Sequence, residues 1–332
     1  MTRVPREEKN VIRLIEGFKG KKICVVGDII ADVYIFGKPY RLSREAPVVV
    51  VKHEEEKVYP GSAGNTINNL LALGAEVFPL GFIGSDAIGD KLVEYFCKYP
   101  TIDMKGIIRH KGETVSKTRI LAGDTHTSKQ QVIRIDKDAN KPVSKRERSL
   151  LMEKLAELAP RMDGFVVSDY GHGLIDRTVT QFMANMSKKK VVIGDSRYNL
   201  KSFRGFTLIT PNEAEALSLA SAKDGADIEA VGKKIMDLMG VTALLITRGN
   251  RGMSLFEADG SVRHIPISGS NDVTDVTGAG DTVCAAVTLS LASGGSFFDS
   301  CRIANFAAGI VVMKRGTATV TVDELKRAVS SL

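Results

Sequence analysis

A chain of 332 residues, 43% apolar and 26% charged, has the composition of an ordinary globular protein, with length for one large α/β domain or two smaller ones. No apolar run approaches a membrane span and residues 1–10 are charged, without a secretory-signal core, so the expected setting is the cytoplasm with no membrane partner. The formal charge of +7 suits an anionic ligand, but lysines and arginines interleave with acids and tryptophan is absent, which argues against a nucleic-acid-binding face.

Cys24, Cys97, Cys284 and Cys301 are scattered and form no C-x-x-C pair, so they read as reduced core residues. The histidines, His53, His110, His126, His172 and His264, never fall at metal-ligand spacing, and no structural transition metal is expected.

In chain order, residues 22–27 read as a buried strand ending at Asp28, with a second carboxylate at Asp32. Acids just past the carboxyl end of a parallel strand lie where α/β sheets bind ligands, although turn residues look the same in sequence. The β-branched run at 47–52 reads as extended, as do 114–121 and 130–136, which flank a polar turn at 123–127. These patches predict a small β lid within about 33–58 and 107–136. Between them, Gly61-Ser62-Ala63-Gly64-Asn65 opens a helix at 64–73 with Ile67, Leu70 and Leu71 on one face, followed by a strand at 77–82 and a helix at 89–99. From 144 the alternation is regular: helix to 159, strand 164–168, helix 176–187, strands 191–194 and 207–209, helices 212–220 and 228–239, strand 243–247. Helices at 281–292, 297–313 and from 322 close the chain. The pattern predicts an α/β fold, a central mostly parallel sheet with helices on both faces plus the lid, as one domain over 1–332.

The chain has no P-loop and no complete G-x-G-x-x-G after a strand, so a phosphate site has to be built otherwise. Asp275-Val276-Thr277-Gly278-Ala279-Gly280-Asp281 is the candidate. Two glycines flanking a small residue let backbone N–H groups turn toward one point, and the helix that follows aims its dipole there. A carboxylate at the lip of an anion pocket would repel phosphate, but it suits a base that takes a proton from an attacking hydroxyl. The bland alternative is a turn with an Asp cap.

At these residues the chain resembles the ribokinase-like, or PfkB, carbohydrate kinases: 61–65 is similar to their N-terminal glycine signature and 275–281 to their C-terminal one. Ser43-Arg44-Glu45-Ala46-Pro47-Val48, Ser168-Asp169-Tyr170-Gly171-His172-Gly173, Thr210-Pro211-Asn212-Glu213 and Lys314-Arg315-Gly316-Thr317 look most like the branch that acts on D-glycero-D-manno-heptose 7-phosphate. The resemblance implies a ribokinase-like fold and ATP-dependent phosphorylation of a sugar hydroxyl. Asp281 would be the general base, and the N–H groups of Gly278, Ala279 and Gly280 an anion hole. Asn212 and Glu215 would place Mg2+ and the ATP phosphates, Glu215 through water. Thr247, Arg248 and Gly249 would pass under the nucleotide, and Asn305 and Gly316 would wall the adenine. Asp275 and Thr277 would hold a monovalent cation such as K+.

On the acceptor side the resemblance places Asp28, Asp32, Gly61 and Asn65 at sugar hydroxyls, with Asp169 and His172 within reach. Ser43 and Glu45 begin the lid strand, and a cation among Lys117, Arg119 and Arg134 would hold a phosphate already on the sugar; solvated edge-strand charges are the alternative. Three departures bear on the substrate: Ser62 replaces the second glycine of a usual pair, His172 a usual lysine, and Gly194-Asp195-Ser196-Arg197 a common I-D-P-K. Arg197 keeps the charge but presents a planar fork. The expected reaction converts heptose 7-phosphate to the 1,7-bisphosphate; other open readings are a kinase of the same fold for a ketohexose phosphate, ketodeoxy sugar acid or nucleoside, or a non-catalytic sugar- or nucleotide-binding regulator. The expected partners are ATP, a small phosphorylated sugar and a second copy through the exposed lid edges. The resemblance further leads to the expectation of a single kinase domain without the nucleotidyltransferase domain of bifunctional relatives.

Overall fold

The computed structural model describes residues 6–123, 129–268, 274–314 and 316–330; of the expected turn at 123–127 only Gly123 lies within them, and His126 and Arg315 lie outside. In chain order the main-sheet strands are β1 (Lys22–Gly27), β4 (Glu76–Gly84), β5 (Ile107–His110), β8 (Gly164–Asp169), β9 (Val191–Ser196), β10 (Leu208–Ile209), β11 (Ala243–Thr247), β12 (Met253–Glu257) and β13 (Val262–Ile265). The lid strands are β2 (Ile29–Leu42), β3 (Val49–Ser62), β6 (Ser116–Ala122) and β7 (Gln130–Lys137).

β1 alternates between two cores: Ile23 and Val25 pack on one side of the sheet, Cys24 and Val26 on the other. A strand buried on both faces suits a parallel sheet, and β1 pairs parallel with β4 on one edge and β8 on the other. The nine strands run β13-β12-β11-β10-β9-β8-β1-β4-β5, antiparallel only from β11 to β13. One core joins the sheet to α1 (Arg6–Glu16), α2 (Ala63–Ala72), α3 (Ala87–Phe96), α8 (Ala279–Ala292), α9 (Phe297–Val311) and α10 (Val322–Ser330). The other joins it to α4 (Lys145–Leu158), α5 (Arg177–Met186), α6 (Glu213–Ala220) and α7 (Ile228–Met239). The chain runs from β1 out to β4 and β5, then returns to the far side of β1 for β8 to β11. Strand order therefore reverses beside β1, and the carboxyl ends of β1 and β8 open onto a crevice.

The lid follows β1 after the single residue Asp28. β2 pairs antiparallel with β3 and parallel with β6, which pairs antiparallel with β7. The lid departs from its expected bounds: residues 107–110 pair with β4 in the main sheet, and β2 starts at Ile29. β2 was hidden because its apolar start continues that of β1, with only Asp28 between. The β12–β13 hairpin was also unexpected, although Asp259-Gly260 between two short alternating runs is a turn signal. Ser43 and Glu45 do not begin a strand; they lie in the exposed turn between β2 and β3, where Ser43 Oγ accepts from the Glu45 N–H.

Ser62 caps α2 with φ 55° and ψ −125°, a conformation that glycine adopts freely and other residues do not. It stands where the resemblance places a second glycine, so the strain is the local consequence of that departure. Ser62→Gly is expected to raise the stability by about 1 kcal/mol, net of glycine's greater unfolded-state entropy; a lower melting temperature would contradict the strain.

Candidate active site

The 275–281 segment turns into α8 through Gly278, whose φ is 81°. A Cβ there would also lie 2.3 Å from Asn65 Nδ2, so both backbone and contact demand glycine. The Ala279 N–H, expected in the anion hole, donates instead to the Val276 carbonyl at 3.2 Å. Those of Gly278, Gly280 and Asp281 have no protein partner among the described residues, which leaves them for an anion at the helix start.

Asp281 sits in the first turn of α8 and is 6% exposed. Its Oδ2 accepts from Asn65 Nδ2 at 2.9 Å, and its Oδ1 from Thr66 Oγ1 at 3.1 Å and the Tyr170 hydroxyl at 3.2 Å. Asn69 completes the seam between α2 and α8: its Nδ2 donates to the Asn65 carbonyl and its Oδ1 accepts from Thr282 Oγ1. Burial pushes the Asp281 carboxyl up to about 6, against the three donors that favour its charged form.

Two hollows lie near this carboxylate. The larger, about 750 Å³, is polar and opens between the sheet and the lid; Asp28, Lys117, Tyr170, His172 and Arg197 line it. The smaller, about 220 Å³, is lined by Met253, Val283, Val312, Asn305, Ala279 and Gly280. Gly280 therefore joins an apolar slot to the start of α8. Thr247 and Gly249 border the slot, and Arg248 borders an adjoining hollow with Asn212, its Nε 3.5 Å from Glu213. Gly316 is not in the slot lining; its N–H donates to Asp275 Oδ2 at 3.0 Å. Asn305 donates its Nδ2 to the Pro266 carbonyl at 2.7 Å.

Several acids expected at the sugar serve the backbone. Asp28 Oδ2 accepts from the N–H groups of Tyr170 and His172, at 2.9 and 3.2 Å, leaving Oδ1 without a partner among the described residues. Asp169 accepts from the Gly171 N–H and Ser196 Oγ. Asp32 is paired with Arg119 at 2.5 Å and lies where a Cβ on Gly61 would stand. Arg134 is paired with Asp136 on its own strand, and His172 Nδ1 lies 3.6 Å from Asp138. Lys117 and Lys141 line the large cavity with no ion-pair partner among the described residues, and Arg197 lines it with its charge acting on Glu215. Asn212 and Glu215 form a capping box at the start of α6, each side chain accepting from the other's N–H.

Asp195, at the end of β9, carries a signal that spacing could not give. Burial and the charges of Asp281 and Glu215 push its carboxyl up to about 8. Glu215 is raised by burial, partly offset by its bonds to Asn212 and by Arg197. Asp275 is held below the usual range despite burial, by Thr277 and the Gly316 N–H. Among the described residues no three ligand side chains are close enough to cage a metal unaided. Acids crowded until one resists ionising are nonetheless a fitting donor set for a hard cation shared with phosphates.

Because the folded-state carboxyl of Asp281 titrates above its unfolded value, its charge costs stability as pH rises through about 4 to 6. Asp281→Asn is therefore expected to melt higher than the parent at pH 8, by roughly 1–3 kcal/mol, with the gap closing below pH 4. An equal or larger gap at low pH in thermal melts would contradict this.

Residues 20–324 match the pfkB family carbohydrate kinases. The chain is 38% identical over 325 residues to a protein named "Bifunctional protein HldE" from Geobacter sulfurreducens, covering 96% of this chain and 65% of that one. It is 38% identical over 330 residues to the protein of that name from Trichlorobacter lovleyi, covering 98% and 66%. The chain thus spans about two thirds of the length of these relatives. Among solved structures it is similar to Arabidopsis thaliana ribokinase complexed with ribose and ATP, with a TM-score of 0.71 at 19% identity over 93% of this chain and 99% of that one. It is also similar to Escherichia coli phosphofructokinase-2 in complex with potassium, with a TM-score of 0.77 at 17% identity over 94% and 99%. The fold is ribokinase-like, and the chain belongs to the pfkB family of carbohydrate kinases, ATP-dependent enzymes that phosphorylate an alcohol group of a sugar.

Proposed function

We propose that the acceptor is itself a phosphorylated sugar, D-glycero-D-manno-heptose 7-phosphate, and that its anomeric hydroxyl is converted to a phosphate, giving the 1,7-bisphosphate used in ADP-heptose-type precursor synthesis. The observation that carries this reading is the large cavity lined by Tyr170, whose hydroxyl donates to Asp281, in which Lys117 and Lys141 lack ion-pair partners among the described residues and Arg197 adds a third positive charge. Unpaired cations over a polar hollow suit a sugar that already bears phosphate, and disfavour a nucleoside. The likeness to the HldE proteins supports the same branch.

In this reading ATP lies with its base in the apolar slot and its phosphates at the start of α8. The sugar hydroxyl attacks the γ-phosphorus, the bond to the ADP oxygen breaks, and the proton passes to Asp281. The free N–H groups of Gly278 and Gly280 stabilise charge on the transferred group. Mg2+ bound with the nucleotide would neutralise phosphate charge, with Asp195 and Glu215 holding it, Glu215 through water. A monovalent cation such as K+ would sit against the Asp275 carboxylate and Thr277. The lid keeps bulk water from the reacting groups.

Two copies of the chain pair through their lids. Leu42, Val48, Ile133 and Ile135 on the lid are each more than half exposed, an apolar surface better covered than solvated.

Asp281→Asn is expected to bind ATP normally while kcat falls by about 10²- to 10⁴-fold; near-normal turnover would remove Asp281 as the base. An ADP-release screen over phosphorylated and unphosphorylated sugars, with the transfer position read by phosphorus NMR, should single out the heptose phosphate; preference for an uncharged sugar would contradict the reading. Sedimentation at micromolar concentration should give a dimer that Ile133→Glu with Ile135→Glu dissociates, and a parent that runs as a monomer would refute the pairing.

A further inference from the structure

The mechanism above gives no role to the part-buried Tyr170 hydroxyl. Tyr170 follows β8 and lines the large cavity, yet its hydroxyl reaches Asp281 Oδ1 at 3.2 Å. The segment carrying it is heavily constrained. Its N–H is bound to Asp28, the next residue Gly171 has φ 83° and donates to Asp169, and His172 donates again to Asp28. Tyr198 packs so closely on Gly171 that a Cβ there would meet its ring at 2.8 Å. Asp28 and Asp169, at the ends of β1 and β8, thus act on the site through the residue they hold.

The donors around Asp281 are unevenly divided. Oδ1 takes two, Thr66 and Tyr170, which fill its in-plane acceptor sites, whereas Oδ2 takes Asn65 alone. One acceptor site on Oδ2 remains for an incoming hydroxyl. Asn65 Oδ1, buried without a partner among the described residues, lies on the same side chain that bonds Oδ2. Thr66 and Asn65 belong to α2 and move with the α2–α8 seam; Tyr170 is the one donor of the three that lines the acceptor cavity.

We infer that Tyr170 is a positioning residue for the general base: its hydroxyl locks Oδ1 of Asp281, so that Oδ2 is the oxygen that receives the acceptor's proton. The inference rests on Asp281 being the base. No covalent step passes through Tyr170, which keeps its own proton throughout. The charged and titratable groups facing Asp281 are Asp32 from β2, Asp195 from β9 and Cys284 from α8, with Tyr170 itself after β8. None of the other titratable groups donates to Oδ1 among the described residues.

The test is the pair Tyr170→Phe and 3-fluorotyrosine at position 170. The first deletes only the hydroxyl and keeps the ring over which Lys117 Nζ sits at 5.7 Å; the second makes the hydroxyl a stronger donor. Tyr170→Phe should lower kcat by roughly tenfold, the scale of one hydrogen bond to a charged group, with the KM for ATP unchanged. The acid limb of its kcat–pH profile should move to higher pH, because a donor that favoured the carboxylate is gone. The fluorotyrosine protein should move the limb to lower pH, and it keeps the question open to test if the Phe variant folds poorly. Limbs unmoved in both proteins overturn the inference. So does a Tyr170→Phe enzyme with a lower acceptor KM and an unmoved limb, since the hydroxyl would then only occupy the acceptor's place. Failure of the base assignment reads differently: there Asp281→Asn itself retains turnover.

Discussion

A single carboxylate held in the seam between α2 and α8 organises this molecule. An isolated buried charge costs several kcal/mol, and a protein tolerates one only where hydrogen bonds meet it. Asp281 is met by Asn65, Thr66 and Tyr170, and the seam that brings them together is itself polar, with Asn69 bridging the Asn65 carbonyl and Thr282. The close approach needs Gly278 without a Cβ against Asn65. Burial outweighs the donors, so the carboxyl is left readier to take a proton than an exposed aspartate. That poise is a property of the packing, and it fits the proposed role of a base working near neutral pH.

The rest of the fold sets what surrounds that carboxylate. Reversal of strand order beside β1 opens the crevice where Asp28 and Asp169 lie, and the long strands β2 and β3 carry the lid over it. The apolar slot lies beside the start of α8 and the polar cavity beside the lid; Tyr170 of the cavity lining donates to the carboxylate, and Gly280 of the slot lining precedes it in the chain. Burial, together with the charges of Asp281 and Glu215, pushes the Asp195 carboxyl up to about 8, and a cation bound beside it would favour its charged form.

Much of this was legible in sequence because it is local. The βα alternation from residue 144 onward follows from apolar periodicity, and most helix ends carry their own caps, as Ser144 and Asp176 do. The 275–281 segment was legible because its glycines, its carboxylate and the helix after it are contiguous. Features set by contact between distant segments were not. Tyr170 and Asp281 are 111 residues apart, and nothing in either neighbourhood announces the bond. Asp28 and Asp169 stand where expected, but that they hold backbone N–H groups is decided by the path of the 170–172 segment. Asn212 and Glu215 illustrate a motif with two meanings, since the spacing that suggests a phosphate site also makes a capping box, and here the box is formed.

The central claim is that burial in the α2–α8 seam raises the proton affinity of Asp281. It is tested most directly by following the carboxyl itself, by carbon NMR of protein labelled at aspartate, with the Asp281 resonance assigned by its absence from the Asn variant. The account requires a midpoint near pH 6. A midpoint at the ordinary aspartate value, about 4, would mean that the burial does not poise this carboxylate, and would contradict the account.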